Sequence, residues 1–176
     1  ITSTYIAVYA QELNLSISSG LFFTFMAAGM MASRIFSGKL VDRGYVSQVI
    51  SVGISIVLLC YFGLAACLPI SQRFPNALNL IFCTIALFVG VGFGIIFPAY
   101  NTLFVNLAEH NQRGTATSTY LTSWDVGIGI GLILGGIVSQ HTSFAYAYLI
   151  GASLCVISAL YFSLYVGPHF NRHKLR

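Results

Sequence analysis

Five stretches of this 176-residue chain, at about 20–38, 47–68, 78–104, 115–138 and 144–166, are apolar almost throughout. A helix needs about 20 such residues to cross the hydrocarbon core of a bilayer. A spanning β-strand needs only about ten, alternating apolar with polar, and these runs are too long and do not alternate. They predict an all-α, polytopic membrane helical bundle. Ile1–Ala10 is apolar over half a span with no Met before it, which reads as the end of a helix that began earlier. The expectation is therefore six transmembrane helices, the first a truncated stub over 1–10, with 167–176 as a tail.

Charge excludes the alternatives. Only 7% of residues are charged, against 57% hydrophobic and a mean hydropathy of +0.84. Soluble domains carry roughly 25% charged residues, so this chain cannot cover a water-facing surface. The formal net charge of +4 does not read as a nucleic-acid footprint, because the basic residues sit at the ends of the apolar runs instead of forming a patch. Cys60, Cys67, Cys83 and Cys155 lie in apolar stretches without CxxC spacing, as packing residues do. No zinc pattern, phosphate loop or nucleophile constellation is present, so neither an enzyme nor a bound metal or cofactor is expected.

The few charges instead mark sidedness. Arg34, Lys39 and Arg43 surround the loop after the second helix, Arg113 follows the fourth, and Arg172, Lys174 and Arg176 occupy the tail. Helix alternation puts all seven on one side and leaves only Arg73 on the other, which predicts a cytoplasmic C-terminus.

The densest of these clusters is "SRIFSGKLVDRG", Ser33–Gly44. Arg34, Gly38 and Asp42 recur every four residues and share a helix face, while Gly29, Ser33 and Ser37 form a small-residue ridge beside it. Lys39 and Arg43 suit a membrane-surface helix end. Asp42 adds little to topology, but an Asp in a tight turn can cap the positive N-terminus of a neighbouring helix.

The run Gly38, Lys39, Leu40, Val41, Asp42, Arg43, Gly44 resembles the signature loop of the major facilitator superfamily of secondary transporters. That motif, G-x-L-x-D-R-x-G followed by basic residues, joins the family's second and third helices, with a degenerate copy between the eighth and ninth. Here Gly44 is followed by Tyr45, Val46 and Ser47, as suits the degenerate copy. The stretch Gly131, Leu132, Ile133, Leu134, Gly135, Gly136 is similar to the G-P-x-x-G-G of family antiporters, with Leu132 in place of proline. The resemblance implies the seventh to twelfth helices of a twelve-helix fold, with a six-helix N-terminal half, the lipid bilayer and a small-molecule substrate as partners. It implies a proton gradient as energy source and a cytoplasmic gate at Arg34, Gly38, Asp42, Arg43 and Gly44. The glycines themselves read as packing surfaces: Gly127, Gly131 and Gly135 flatten one helix face, and Gly90 and Gly94 another, with Pro98 one turn on. A hinge role for these, Pro98 and Gly136 stays open.

Asp125 is the one acid well inside a span. Inserting a carboxylate there costs about 2.5–3.5 kcal/mol unless it is paired, protonated or facing water, so it is the candidate proton-coupling residue. Trp124 adjoins it mid-membrane, Phe25 and Met26 lie mid-span in the second helix, Asn101 lies near the deep end of the fourth beside Tyr100, and Tyr5 and Tyr9 lie on the stub, whose family position lines the cavity. Aromatic surface with a few polar groups suits an amphipathic organic compound. The leading expectation is proton-coupled export of a small organic or drug-like molecule, with multidrug antiporters of a bacterial inner membrane as the model. A sugar or metabolite carrier and a non-transporting membrane protein are the alternatives.

The charge asymmetry is directly testable. Cysteines replacing Asp42 and His173 should react with an impermeant maleimide only from inside the cell, and one replacing Arg73 only from outside. Labelling of all three from one side rules out the six-helix topology.

Overall fold

The protein, seen in a computed structural model, is described except for residues 1, 16–18 and 174–176 and the side chains of 3, 19, 75 and 76. Lys174 and Arg176, counted above in the tail, lie outside the described residues. Among the described residues seven α-helices follow one another: α1 Thr2–Glu12, α2 Ser19–Asp42, α3 Val46–Arg73, α4 Pro75–Leu107, α5 Arg113–His141, α6 Phe144–Tyr161 and α7 Gly167–His173. Five segments among the described residues are long and apolar enough to cross a membrane: Gly20–Asp42, Val46–Arg73, Ala77–Leu107, His110–His141 and Phe144–His173. Each runs past the apolar stretch that announced it, since polar residues at the bilayer edge continue the hydrogen-bond ladder of a helix already nucleated.

The helix ends have local causes. At α2, Gly44 adopts φ +87°, its N–H donates to Val41 O at 2.9 Å, and the N–H of Tyr45 donates to Leu40 O at 3.1 Å. This paired 5→2 and 6→1 pattern is a Schellman cap, which needs a residue free to adopt left-handed φ. Asn14 (φ 52°) ends α1 in the same way. The "GP" at Gly167–Pro168 reads in the sequence as the start of a tail, yet the helix does not stop there. A π-helical turn, Phe162–Val166, intervenes, with the Gly167 N–H bonded to Phe162 O. Widening the ladder accommodates Pro168, which lacks an N–H and in a regular helix would crowd the preceding turn. The chain stays helical to His173, and Phe170 is buried.

Helix α4 is the axis of the bundle. It packs along α2 on one side and α3 on the other, α3 also packs on α6, and α5 touches α4 and α6 over shorter stretches. Glycine permits the closeness. A Cβ on Gly90 would collide with the Met26 carbonyl oxygen and stand 2.9 Å from Met26 Cα. One on Gly94 would strike Ser33 Oγ and stand 2.9 Å from Met30 Cα, and one on Gly29 would strike Leu87 O. Gly29 thus meets the α4 backbone at Leu87 and Val91, while Gly90 and Gly94 meet the α2 backbone at Met26 and Met30, with Ser33 Oγ against Gly94. Toward α3, Gly92 and Gly53 each leave only 2.6 Å between a new Cβ and Val57 or Ile96.

Two apolar cores lie at opposite ends of α4. One gathers Ile6, Tyr9, Leu13, Phe22, Phe82 and Tyr148; the other gathers Val46, Ile50, Ile96, Leu103, Phe162 and Phe170. The second core puts the α2–α3 loop, the end of α4 and α7 at one end of the bundle, where Ser47 Oγ bonds Asn171 Oδ1 at 3.3 Å. At the other end Glu12 accepts a 3.3 Å bond from the Phe144 N–H, placing a carboxylate on the positive N-terminus of α6.

Gly90→Val should remove about 3 kcal/mol or more, because the obstructing atoms are backbone and cannot rotate away. Gly127→Ala should be neutral, or gain up to about 1 kcal/mol from helix propensity. Thermal unfolding in detergent separates the two, and equal losses would refute the close α2–α4 seam.

Candidate functional site

An aromatic wall joins α4 to α5. On α4, Phe93, Phe97, Tyr100 and Phe104 recur at helical spacing on one face; on α5, Tyr120 and Trp124 stand one turn apart and meet them. The Trp124 indole lies edge-on to Phe97 (5.4 Å, 86°) and Phe93 (6.2 Å, 84°). Tyr120 packs on Phe97 and Phe104 at 5.6 Å each and stacks on Tyr100 at 6.5 Å and 16°. Its hydroxyl donates to Phe97 O at 3.0 Å, a carbonyl near Pro98. These edge-on and stacked contacts add to area burial.

The wall stops abruptly. Gly127 and Gly131 continue the α5 face of Tyr120 and Trp124 by register, yet nothing comes within 4 Å of a Cβ built on either. The expected packing of this stripe is thus not made by Gly127 and Gly131 within the described chain. Gly135, farther along, is buried, and a Cβ on Gly136 would stand 2.7 Å from the Tyr5 hydroxyl. Trp124 therefore sits at the border between a packed aromatic surface and an open, glycine-lined one.

The candidate polar groups distribute around this border. Asp125 is exposed on α5, one helical step from Trp124. Asn101 is half-buried beside Tyr100, and its Oδ1 is buried without a hydrogen-bond partner among the described residues. Tyr5 reaches α5 from α1 and donates to Leu132 O at 3.3 Å. Tyr9, expected on the cavity, is instead sealed in the first core and donates to Leu64 O at 2.6 Å. Met26 lies in the glycine seam, where its carbonyl touches Gly90, and Phe25 is exposed on α2. The helical periodicity of α2 and the short length of α1 put these three outside the aromatic wall.

The loop motif gathers at the basic end. Arg34, Asp42 and Arg43 are exposed, Gly38 has open space around it, and the cap of Gly44 is the one conformationally demanding position. No side chain caps the start of α3, so Asp42 does not latch that helix. Glu109 is exposed next to a short 3-10 turn, His110–Gln112. Among the described residues no group of three His, Cys, Asp or Glu is arranged to hold a metal.

Sequence reasoning singled out Trp124 but not Tyr120, Phe93, Phe97 or Phe104. Their signal was available as an i, i+4, i+7, i+11 aromatic series on α4 facing an i, i+4 pair on α5.

A family model described as Major Facilitator Superfamily matches residues 1–175. Among curated proteins, "Proton-coupled antiporter flippase LtaA" of Staphylococcus epidermidis is 27% identical over 142 residues, 76% of this chain and 34% of that protein. Proteins of the same name from Staphylococcus haemolyticus (24% identical; 78% and 33% covered) and Staphylococcus aureus (27%; 76% and 34%) are similar too. The match spans about a third of the length of these relatives. No solved structure gives a significant match.

Tyr120→Phe should keep the ring contacts and cost about 0.5–1.5 kcal/mol through the lost bond to Phe97 O. Trp124→Ala, which removes both edge contacts, should cost more. Thermal melts of the two variants test this, and an inverted order would show that the wall is not held through Trp124.

Proposed function

The chain belongs to the Major Facilitator Superfamily, and from that premise we propose that it is the C-terminal six-helix half of a longer, proton-coupled transporter. It works by alternating access against an N-terminal half, exporting an amphipathic organic compound with the proton gradient as energy source and no bound cofactor. The observation that carries this reading is the aromatic wall at Trp124, running into an open glycine face, with an exposed carboxylate one residue away at Asp125. An apolar body lies against the part-exposed rings of Trp124, Phe93 and Phe97, which the buried Tyr120 backs, while Asp125 exchanges a proton where water reaches it. The name of the similar staphylococcal proteins supports proton coupling and antiport. The word flippase in it supports an amphiphile over a fully polar solute.

In this reading the basic end of the bundle faces the cytoplasm of a bacterial inner membrane, with Arg34, Gly38, Asp42, Arg43 and Gly44 as the gate. Asp42 caps no helix of this chain's own loop, which fits a latch on the other half. The unpartnered Asn101 Oδ1 favours a second reading, a carrier for a hydroxylated metabolite such as a sugar, since that buried acceptor needs a donor.

Asp125→Asn in the complete transporter should abolish pH-driven flux while leaving substrate binding and exchange in place. Asn keeps the shape and one acceptor oxygen but cannot take up a proton. Normal transport by this variant in proteoliposomes under the same pH gradient would make Asp125 structural and move coupling to the other half.

A further inference from the structure

On the far side of α4 from the aromatic wall, α2 and α3 diverge and leave a groove of about 540 Å³ with α4 as its floor. Ala32 and Phe36 of α2, Tyr45, Gln48 and Val52 at the start of α3, and Val91 of α4 line it. Phe36 is 70% and Val52 54% exposed, so the groove opens sideways from the bundle, toward hydrocarbon in a bilayer. The Schellman cap at Gly44 shapes its loop end by folding Tyr45 back on Leu40, two residues that both line it.

An acyl chain gains little by leaving bulk lipid for such a groove, because lipid tails are as apolar as the walls. Any selectivity has to come from the headgroup. At the loop end Lys39 follows Phe36 by three residues and Arg43 follows Leu40 by three; neither cation lines the groove, but both are exposed and helical register sets them at its loop-end edge. Gln48 and the Tyr45 hydroxyl add neutral donors. Asp42 is the nearby acid; helical register turns it well away from Phe36 and Leu40, to the flank of Lys39 that is farther from the groove. No acidic residue lines the groove. Basic clefts between helices at a membrane edge select anionic headgroups.

We propose that this groove holds an anionic phospholipid, with one acyl chain between α2 and α3 and its phosphate at Lys39 and Arg43. The lipid bridges two helices that otherwise touch each other little and rest on α4. It also lies against the loop motif, apart from the aromatic wall on the other side of α4.

The test uses the full-length transporter, delipidated in detergent and titrated with phosphatidylglycerol or with phosphatidylcholine of the same acyl chains. Native mass spectrometry reads the bound lipid. Two juxtamembrane cations correspond to about a 30-fold preference for phosphatidylglycerol, and one to about fivefold. Lys39→Gln should lower the preference to about fivefold, and Lys39→Gln with Arg43→Gln should erase it. Ala32→Trp, which fills the groove, should reduce retention of both lipids in protein that still elutes as a single species. If that variant does not fold, the charge variants alone decide. Equal retention of the two lipids, or a preference unchanged in the double variant, would overturn the proposal. So would retention insensitive to a folded Ala32→Trp, or no bound lipid at all because the rest of the transporter covers the groove.

Discussion

The backbone contact between α2 and α4 is the constraint on which the other features rest. In lipid, helices are not driven together by apolar burial, since the tails outside are as apolar as the interface. Close van der Waals approach has to supply the attraction. Gly29 against Leu87, Gly90 against Met26 and Gly94 against Met30 and Ser33 bring two backbones nearer than any side chain would permit. With Gly92 of α4 receiving the Val57 side chain and Gly53 of α3 receiving that of Ile96, α4 is clasped from two directions. Its remaining face is then presented in a defined orientation, and that face carries Phe93, Phe97, Tyr100 and Phe104.

Helix α5 is held by different means. Its attachment to α4 is a short aromatic wall with one hydrogen bond, from Tyr120 to Phe97 O. At its far end it is touched by Tyr5 of α1. Between these points Gly127 and Gly131 face open space. A bundle with a tightly clasped axis and a lightly held helix beside it places its adaptable surface next to Trp124 and Asp125, where the proposed transport chemistry sits. The same contrast explains the lateral groove: α2 and α3 are each fastened to α4, and little fastens them to each other.

Much of this was legible before any coordinates. Run lengths and scarce charge specify an all-α membrane bundle, because a bilayer admits only internally hydrogen-bonded segments of a minimum length. The four-residue spacing of Gly90 and Gly94 specifies a packing face, and the loop "GKLVDRG" carries the family resemblance. Other readings were not decidable at that level. Gly127 and Gly131 share the spacing of Gly90 and Gly94, yet one pair is buried against backbone and the other faces open space. Periodicity tells which residues share a face and not what lies opposite it. Tyr5 and Tyr9 are one turn apart on the same short helix; one reaches α5 and the other seals a core. Residues 167–176 read as a tail, but a π turn at Phe162–Val166 carries the helix on to His173.

The sequence by itself thus determined the class of solvent, the number of long spans and the spacing of small and charged residues, all of which depend on local composition and helical period. Tertiary structure alone decided which glycine stripe is a seam, that Tyr120 and Trp124 close onto α4, and that Asp125 stays exposed. It also decided that a groove opens between α2 and α3. Those outcomes depend on the relative placement of helices far apart in the chain, which one backbone-to-backbone contact at α4 sets and no single segment encodes.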